Sequence, residues 1–131
     1  MENYAVRNCI DRYAIVVAPG EEPVLLHCFP DDSLELKEMQ KIVEGYIETV
    51  PTALAKEWSR EEGVGTVLIV NDEGKLQGLQ LNRWATDISA LRNDVIMGNA
   101  ILMGTKGEDF IGLTKEAAEN IAEKWGKNNA E

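Results

Sequence analysis

The sharpest pattern in the chain is Thr66-Val-Leu-Ile-Val70, an unbroken run of β-branched and apolar residues followed by Asn71-Asp-Glu-Gly74. A run with no polar face predicts a strand at the centre of a sheet, covered on both sides. Gly74 is expected to supply a positive φ in the turn that follows. Upstream, Tyr13–Pro19 and Pro23–Phe29 are two β-rich runs around Pro19-Gly20, the pattern of a hairpin. Tyr4, Val6 and Cys9, within residues 1–12, fit either an edge strand or a tail that docks late. The period then changes: Leu36, Met39, Val43 and Ile42, Tyr46 recur at helical spacing. Asp32 or Ser33 is the expected N-cap, and Gly45 the expected left-handed C-cap. Tyr46–Val50 reads as a strand broken by Pro51.

Residues 52–60 fit two periods. Alternation of Thr52, Leu54, Lys56 and Trp58 suits a strand, whereas Ala53, Ala55 and Lys56-Glu57 suit a helix. The strand is preferred, because Glu61-Glu62-Gly63 would turn it into the central strand. Lys75–Leu81 is expected to return as a short extended segment. Leu81, Trp84, Ala85, Ile88 and Leu91 then share one face of a short helix, with Asn82 as its cap. Asp94–Met103 reads as a strand interrupted at Gly98. Phe110–Leu113 leads to Thr114, an N-cap, and Leu113, Ala117, Ile121 and Trp125 form the stripe of a final helix ending near Gly126. Residues 127–131 are expected to fray. The order β-β-α-β-β-β-α-β-α predicts an α+β fold, a mainly antiparallel sheet with about three helices packed against it. A chain of 131 residues fits a single domain, 1–131.

Charge narrows the function classes. The formal net charge is −10, so direct binding to a phosphate backbone is disfavoured. An acidic surface can instead engage a basic cleft on a protein, including that of a nucleic-acid enzyme. Most of the acid excess lies in residues 1–65, which makes Glu35, Glu38, Glu57 and Glu61 the candidate acidic partner face. No apolar run approaches the ~20 residues that span a bilayer. The N-terminus lacks a basic region followed by an apolar stretch, so no signal peptide is expected and a cytoplasmic setting is. Cys9 and Cys28 are then expected as free thiols.

Catalytic and metal motifs are missing from the pattern. The single histidine, His27, adjoins Cys28 on an apolar strand, and neighbours on a strand point to opposite faces. Cys9 with His27 is the one remaining thiol–imidazole pairing. Two cysteines and one histidine do not make a tetrahedral zinc set, no glycine-rich phosphate loop occurs, and no cofactor is implied. An enzyme is the least supported class. The segment that stands out is Asn71–Thr86, denser in polar and turn residues than a hairpin requires. Arg83 falls in the first turn of the expected helix, where a cation opposes the macrodipole. Asp87, a carboxylate elsewhere, or a bound anion would relieve it. Asn71, Asn82, Arg83, Thr86 and Asn99 are therefore the candidate ligand- or partner-binding residues, with a helix cap as the default reading of Asn82.

Those residues also carry a resemblance. Leu36–Glu48, Asn71–Leu76, Gly78-Leu79, Asn82-Arg83, Ala85-Thr86 and Asp94–Asn99 together resemble an uncharacterised domain family of bacteriophages and conjugative elements. The same domain resembles modules of large polyvalent proteins that accompany incoming mobile DNA and include antirestriction modules. The resemblance spans about residues 34–125. Glu44 stands where that family has the first glycine of a pair, and Gln80 where it has a proline. The family brings no established activity; it implies a mobile-element setting and, by association, counter-defence.

Three functions follow as expectations. The leading one is a non-catalytic accessory protein that binds a host protein such as a defence nuclease. The second is a small-ligand protein that sequesters an anionic nucleotide signal at Arg83 and Asn82. The third is a structural or assembly role without a ligand.

Overall fold

The computed structural model describes residues 11–29 and 31–130, with side chains described as far as Trp125. The fold is α+β. Seven strands form one sheet: β1 (Arg12–Val17), β2 (Val24–Cys28), β3 (Ile47–Pro51), β4 (Gly65–Asn71), β5 (Ala100–Lys106), β6 (Asp109–Ile111) and β7 (Leu113–Thr114). The main path is β2-β1-β5-β4-β3, with β6 on β5 and β7 on β1, and every pairing is antiparallel. β4 is paired on both sides, as its unbroken apolar run requires. β3 closes one side of the path.

Among the described residues three helices cover the two faces of the sheet. α1 (Leu36–Val43) lies on one face, where Met39 and Val43 meet Ala14, Ile69, Ile101 and Met103. α2 (Arg83–Ile88) and α3 (Lys115–Ala130) lie on the other. There Trp84, Ile88, Ala117 and Ile121 pack on Ile15 and Leu102. Alternate residues of β4 feed the two cores, Leu68 and Val70 to one and Ile69 to the other, which is the period of two in a sheet covered on both sides.

Several local expectations are corrected. Residues 52–60 do not form a strand: only Thr52 bridges, to Ser89, and Lys56–Ser59 is a 3-10 turn. Packing decides it, because Leu54 and Trp58 both press against the α2/α3 core, with Trp58 tilted on Trp125 at 6.4 Å. Lys75–Leu81 is a succession of turns with one bridge, Leu81 to Met97. Gly74 does not carry a positive φ; a Cβ there would lie 2.6 Å from the Met97 carbonyl, so close approach explains it. The positive φ falls on Gly78. The fifth strand begins at Ala100 rather than Asp94, beyond Gly98 with its φ of 93°. α1 is capped by Glu35 without a side-chain bond, not by Asp32 or Ser33, and its left-handed C-cap is Glu44, not Gly45. α3 continues through Gly126 to Ala130, since one glycine costs a helix only about 1 kcal/mol. Of residues 1–12, all but Asp11 and Arg12, with Cys9 among them, lie outside the described residues.

Candidate functional site

Asn71, Asn82 and Thr86, and their neighbour Asn99, are committed to the backbone. Asn82 is fully buried; its amide donates to the Val17 and Gly98 carbonyls at 3.0 and 2.9 Å, and its oxygen accepts from the Ala85 N–H at 3.0 Å. One side chain therefore ties β1, the start of β5 and the first turn of α2 together. Thr86 continues the lock, donating to the Asn82 carbonyl and accepting from the Ile96 N–H. Asn71 donates to the Val43 and Glu44 carbonyls, and Asn99 to that of Ile42. Two asparagines, one at the end of β4 and one just before β5, thus satisfy the last carbonyls of α1, which a helix of any sequence leaves orphaned. Gly45 makes room for this, as a Cβ there would stand 2.7 Å from the Asn71 amide nitrogen.

Arg83 takes no part in that network. It is exposed at the start of α2, and among the described residues neither Asp87 nor another carboxylate pairs with it. The asparagines and Arg83 are therefore not assembled around one opening: the amides turn inward and the guanidinium outward.

The opening lies next to them, along β3. A cleft of about 470 Å³ is bounded by Glu48–Pro51, by Val70–Leu76 and by the loop from Leu91 to Met97. Val50, Val70 and Ile96, all buried core residues, form its floor. Leu76, Leu91 and Val95 are exposed large apolar residues at its rim. Lys75 pairs with Asp94, whose carboxyl is held below its usual range chiefly by that contact. Glu48, Asp72 and Glu73 have no cation among the described residues. The cleft is thus apolar underneath, anionic at the rim and open at the sheet edge.

A family model described as a domain of unknown function, DUF3846, matches residues 11–126. The chain belongs to this family. The match starts just before β1 and ends inside α3, so it takes in every strand and both faces of the sheet. No curated protein and no solved structure matches the chain.

Within this DUF3846 domain the four candidate acids do not form one face. Glu35 and Glu38 are exposed at the start of α1, on one side of the sheet. Glu57 and Glu61 belong to the 3-10 turn and its exit, which packs with α3 on the other side. Glu61 is occupied: both of its oxygens accept from the Arg12 guanidinium at 2.8 Å, and Arg12 also donates to the Gly112 carbonyl. This bidentate contact holds the Glu61 carboxyl below its ordinary range and the buried Arg12 above its own. Cys28 is a buried free thiol, pushed up to about 11 by burial. His27 is exposed, stacked on Tyr13 and 3.2 Å from Asp11. Among the described residues no cluster of three or more His, Cys, Asp or Glu side chains is placed to hold a metal, and no helix is long and apolar enough to cross a membrane.

Reading by residue type missed Glu48, Thr49, Asp72 and Glu73 as a group. The available signal was Pro51 at the end of a strand whose middle is charged and polar, since proline and charge mark a sheet edge.

Proposed function

We propose that this DUF3846 domain is a non-catalytic accessory protein of a phage or other mobile element that works in the bacterial cytoplasm by binding a host protein, in counter-defence. The observation that carries the binding reading is the cleft beside β3: apolar floor, exposed Leu76 and Val95, and three carboxylates that have no cation among the described residues, at an open strand. Interaction sites on proteins combine an apolar centre with a polar rim in this way. The small-ligand reading loses its strongest residues, because Asn71, Asn82 and Asn99 spend their amides on backbone carbonyls and Arg83 stands apart from them. The mobile-element setting is supported by the resemblance of Leu36–Glu48, Asn71–Leu76, Asn82-Arg83 and Asp94–Asn99 to phage and conjugative-element domains.

Native mass spectrometry of the protein purified from an infected or plasmid-bearing host tests the proposal. The expected species is a complex with one host polypeptide that dissociates as salt rises. A uniform adduct of nucleotide mass, with no bound polypeptide, would contradict it.

A further inference from the structure

We infer that the outer edge of β3 receives an extended, basic segment of the partner protein as an added β-strand. The inference rests on the protein-binding reading above and names where and how that binding occurs.

The backbone of β3 is half used. The Asp72 N–H donates to the Tyr46 carbonyl at 3.0 Å, and the register sets Ile47 opposite Asn71. Ile47 therefore occupies a non-hydrogen-bonded position of the antiparallel ladder, as do Thr49 and Pro51 two and four residues on. The N–H and C=O groups of Glu48 and Val50 face β4, whereas those of Ile47 and Thr49 face away from the sheet. Pro51 fits the same alternation: its missing N–H points outward, where β4 asks for nothing. Among the described residues no backbone group bonds to the outward groups of Ile47 or Thr49.

The protein itself begins a strand on this edge. Ala90 donates to the Pro51 carbonyl at 2.8 Å, Ala53 donates to the Ile88 carbonyl at 2.8 Å, and Thr52 bridges Ser89 in the antiparallel sense. The chain then leaves the edge through Asn93, whose φ is 61°. The line that residues 88–90 begin runs on into the cleft, alongside Thr49 and Ile47. A peptide there would continue the rank and take up two N–H and two C=O groups, the mode by which strands are added to sheet edges.

Charge and shape choose the occupant. Glu48 stands on the edge strand itself, and Asp72 and Glu73 border the same cleft over the apolar floor of Val50, Val70 and Ile96. A lysine or arginine lays its methylene stem on such a floor and its charge at such a rim. A second copy that used all the outward groups, Ile47 against Thr49, would set Glu48 against Glu48 across the new ladder, where directly opposed like charges are destabilising. A basic partner segment is favoured over self-pairing on that ground.

The test titrates the whole protein with a fluorescent peptide of four Lys-Val repeats, and with its Glu-Val counterpart as the control. Two variants accompany the parent. Thr49→Pro removes one outward N–H at a position where β4 makes no bond. The triple change Glu48→Lys, Asp72→Lys, Glu73→Lys reverses the rim without touching the backbone. The Lys-Val peptide should bind, the Glu-Val peptide should not, and each variant should weaken Lys-Val binding at least tenfold while retaining the parent's circular dichroism. If Thr49→Pro unfolds, the triple variant alone decides. Equal binding to parent and triple variant, or no binding to the parent, overturns the inference. A host polypeptide that still co-purifies with a folded Thr49→Pro or with the triple variant overturns the edge as the site yet leaves the protein-binding reading standing; a nucleotide-mass adduct without polypeptide removes both.

Discussion

The segment around Asn82 and the edge strand β3 lie side by side and use polar groups in opposite ways. The amides of Asn71, Asn82 and Asn99 are turned inward and paired with the backbone of α1, β1 and the β5 approach. Along β3, the backbone groups of Ile47 and Thr49 face outward, and among the described residues neither they nor the carboxylates of Glu48, Asp72 and Glu73 have a partner. A dense polar stretch in a sequence is as able to be internal scaffolding as a binding site. What separates the two is whether each donor and acceptor already has a partner, because a buried unpaired group costs about 1–3 kcal/mol and is therefore rarely left so.

The comparison predicts a graded series of effects. The largest belongs to Asn82→Ala, which orphans two carbonyls and one N–H in a fully buried place. Urea denaturation should show a loss on the order of 3 kcal/mol. A loss under about 1 kcal/mol would mean that the amide is not the tie between β1, α2 and β5.

Glu61→Gln should come next. It removes the negative charge and one of the two acceptor oxygens that face the buried Arg12 guanidinium, at a cost of about 2 kcal/mol at neutral pH, moderated because Glu61 is about a quarter exposed. The folded carboxyl titrates below its ordinary value of 4.5. Its contribution is therefore full above that value and is lost as pH falls through the lowered folded one. Parent and variant stabilities measured against pH should converge in that acid range and stay apart above it; a constant gap down to the acid limit would contradict the ion pair.

Glu44→Gly should act in the opposite direction. Glu44 holds a φ of 67°, a left-handed conformation that costs a side-chain-bearing residue about 1 kcal/mol and glycine nearly nothing. Thermal melts should show a gain of about 0.5–1 kcal/mol, the glycine's freedom in the unfolded chain taking back part of the strain. Arg83→Ala should have the smallest effect, within about 0.5 kcal/mol, as expected for an exposed residue that pairs with no carboxylate among the described residues. It should also leave Lys-Val peptide binding unchanged.

Where one physical cause dominated, the fold was legible in the sequence. The apolar run Thr66–Val70 announced the central strand, the Pro19-Gly20 break announced the hairpin, and the stripe Ala117, Ile121, Trp125 announced the last helix. Asn82 was legible as a cap, and the structure adds two further bonds from the same side chain. Other features depended on tertiary contacts that no local pattern records. The 3-10 turn at Lys56–Ser59 follows from Trp58 meeting Trp125, far along the chain. Gly45 reads as a cap by composition, yet it is needed for the approach of Asn71. The four acids chosen from the first half of the chain were near one another in sequence, but the sheet separates them, and one is occupied by Arg12. The β3 cleft escaped notice because its walls come from three segments that only the sheet order brings together.

Amide hydrogen exchange resolved by residue, in the free protein and with the Lys-Val peptide bound, tests the contrast most directly. In the free protein the amides of Glu48 and Val50 should be protected and those of Ile47 and Thr49 should exchange freely. Binding should protect Ile47 and Thr49 and leave Asn82–Thr86 unchanged. Ile47 and Thr49 already protected without peptide, or a response confined to Asn82–Thr86, would contradict the assignment of the open edge as the interaction surface and of the asparagine-rich segment as its scaffold.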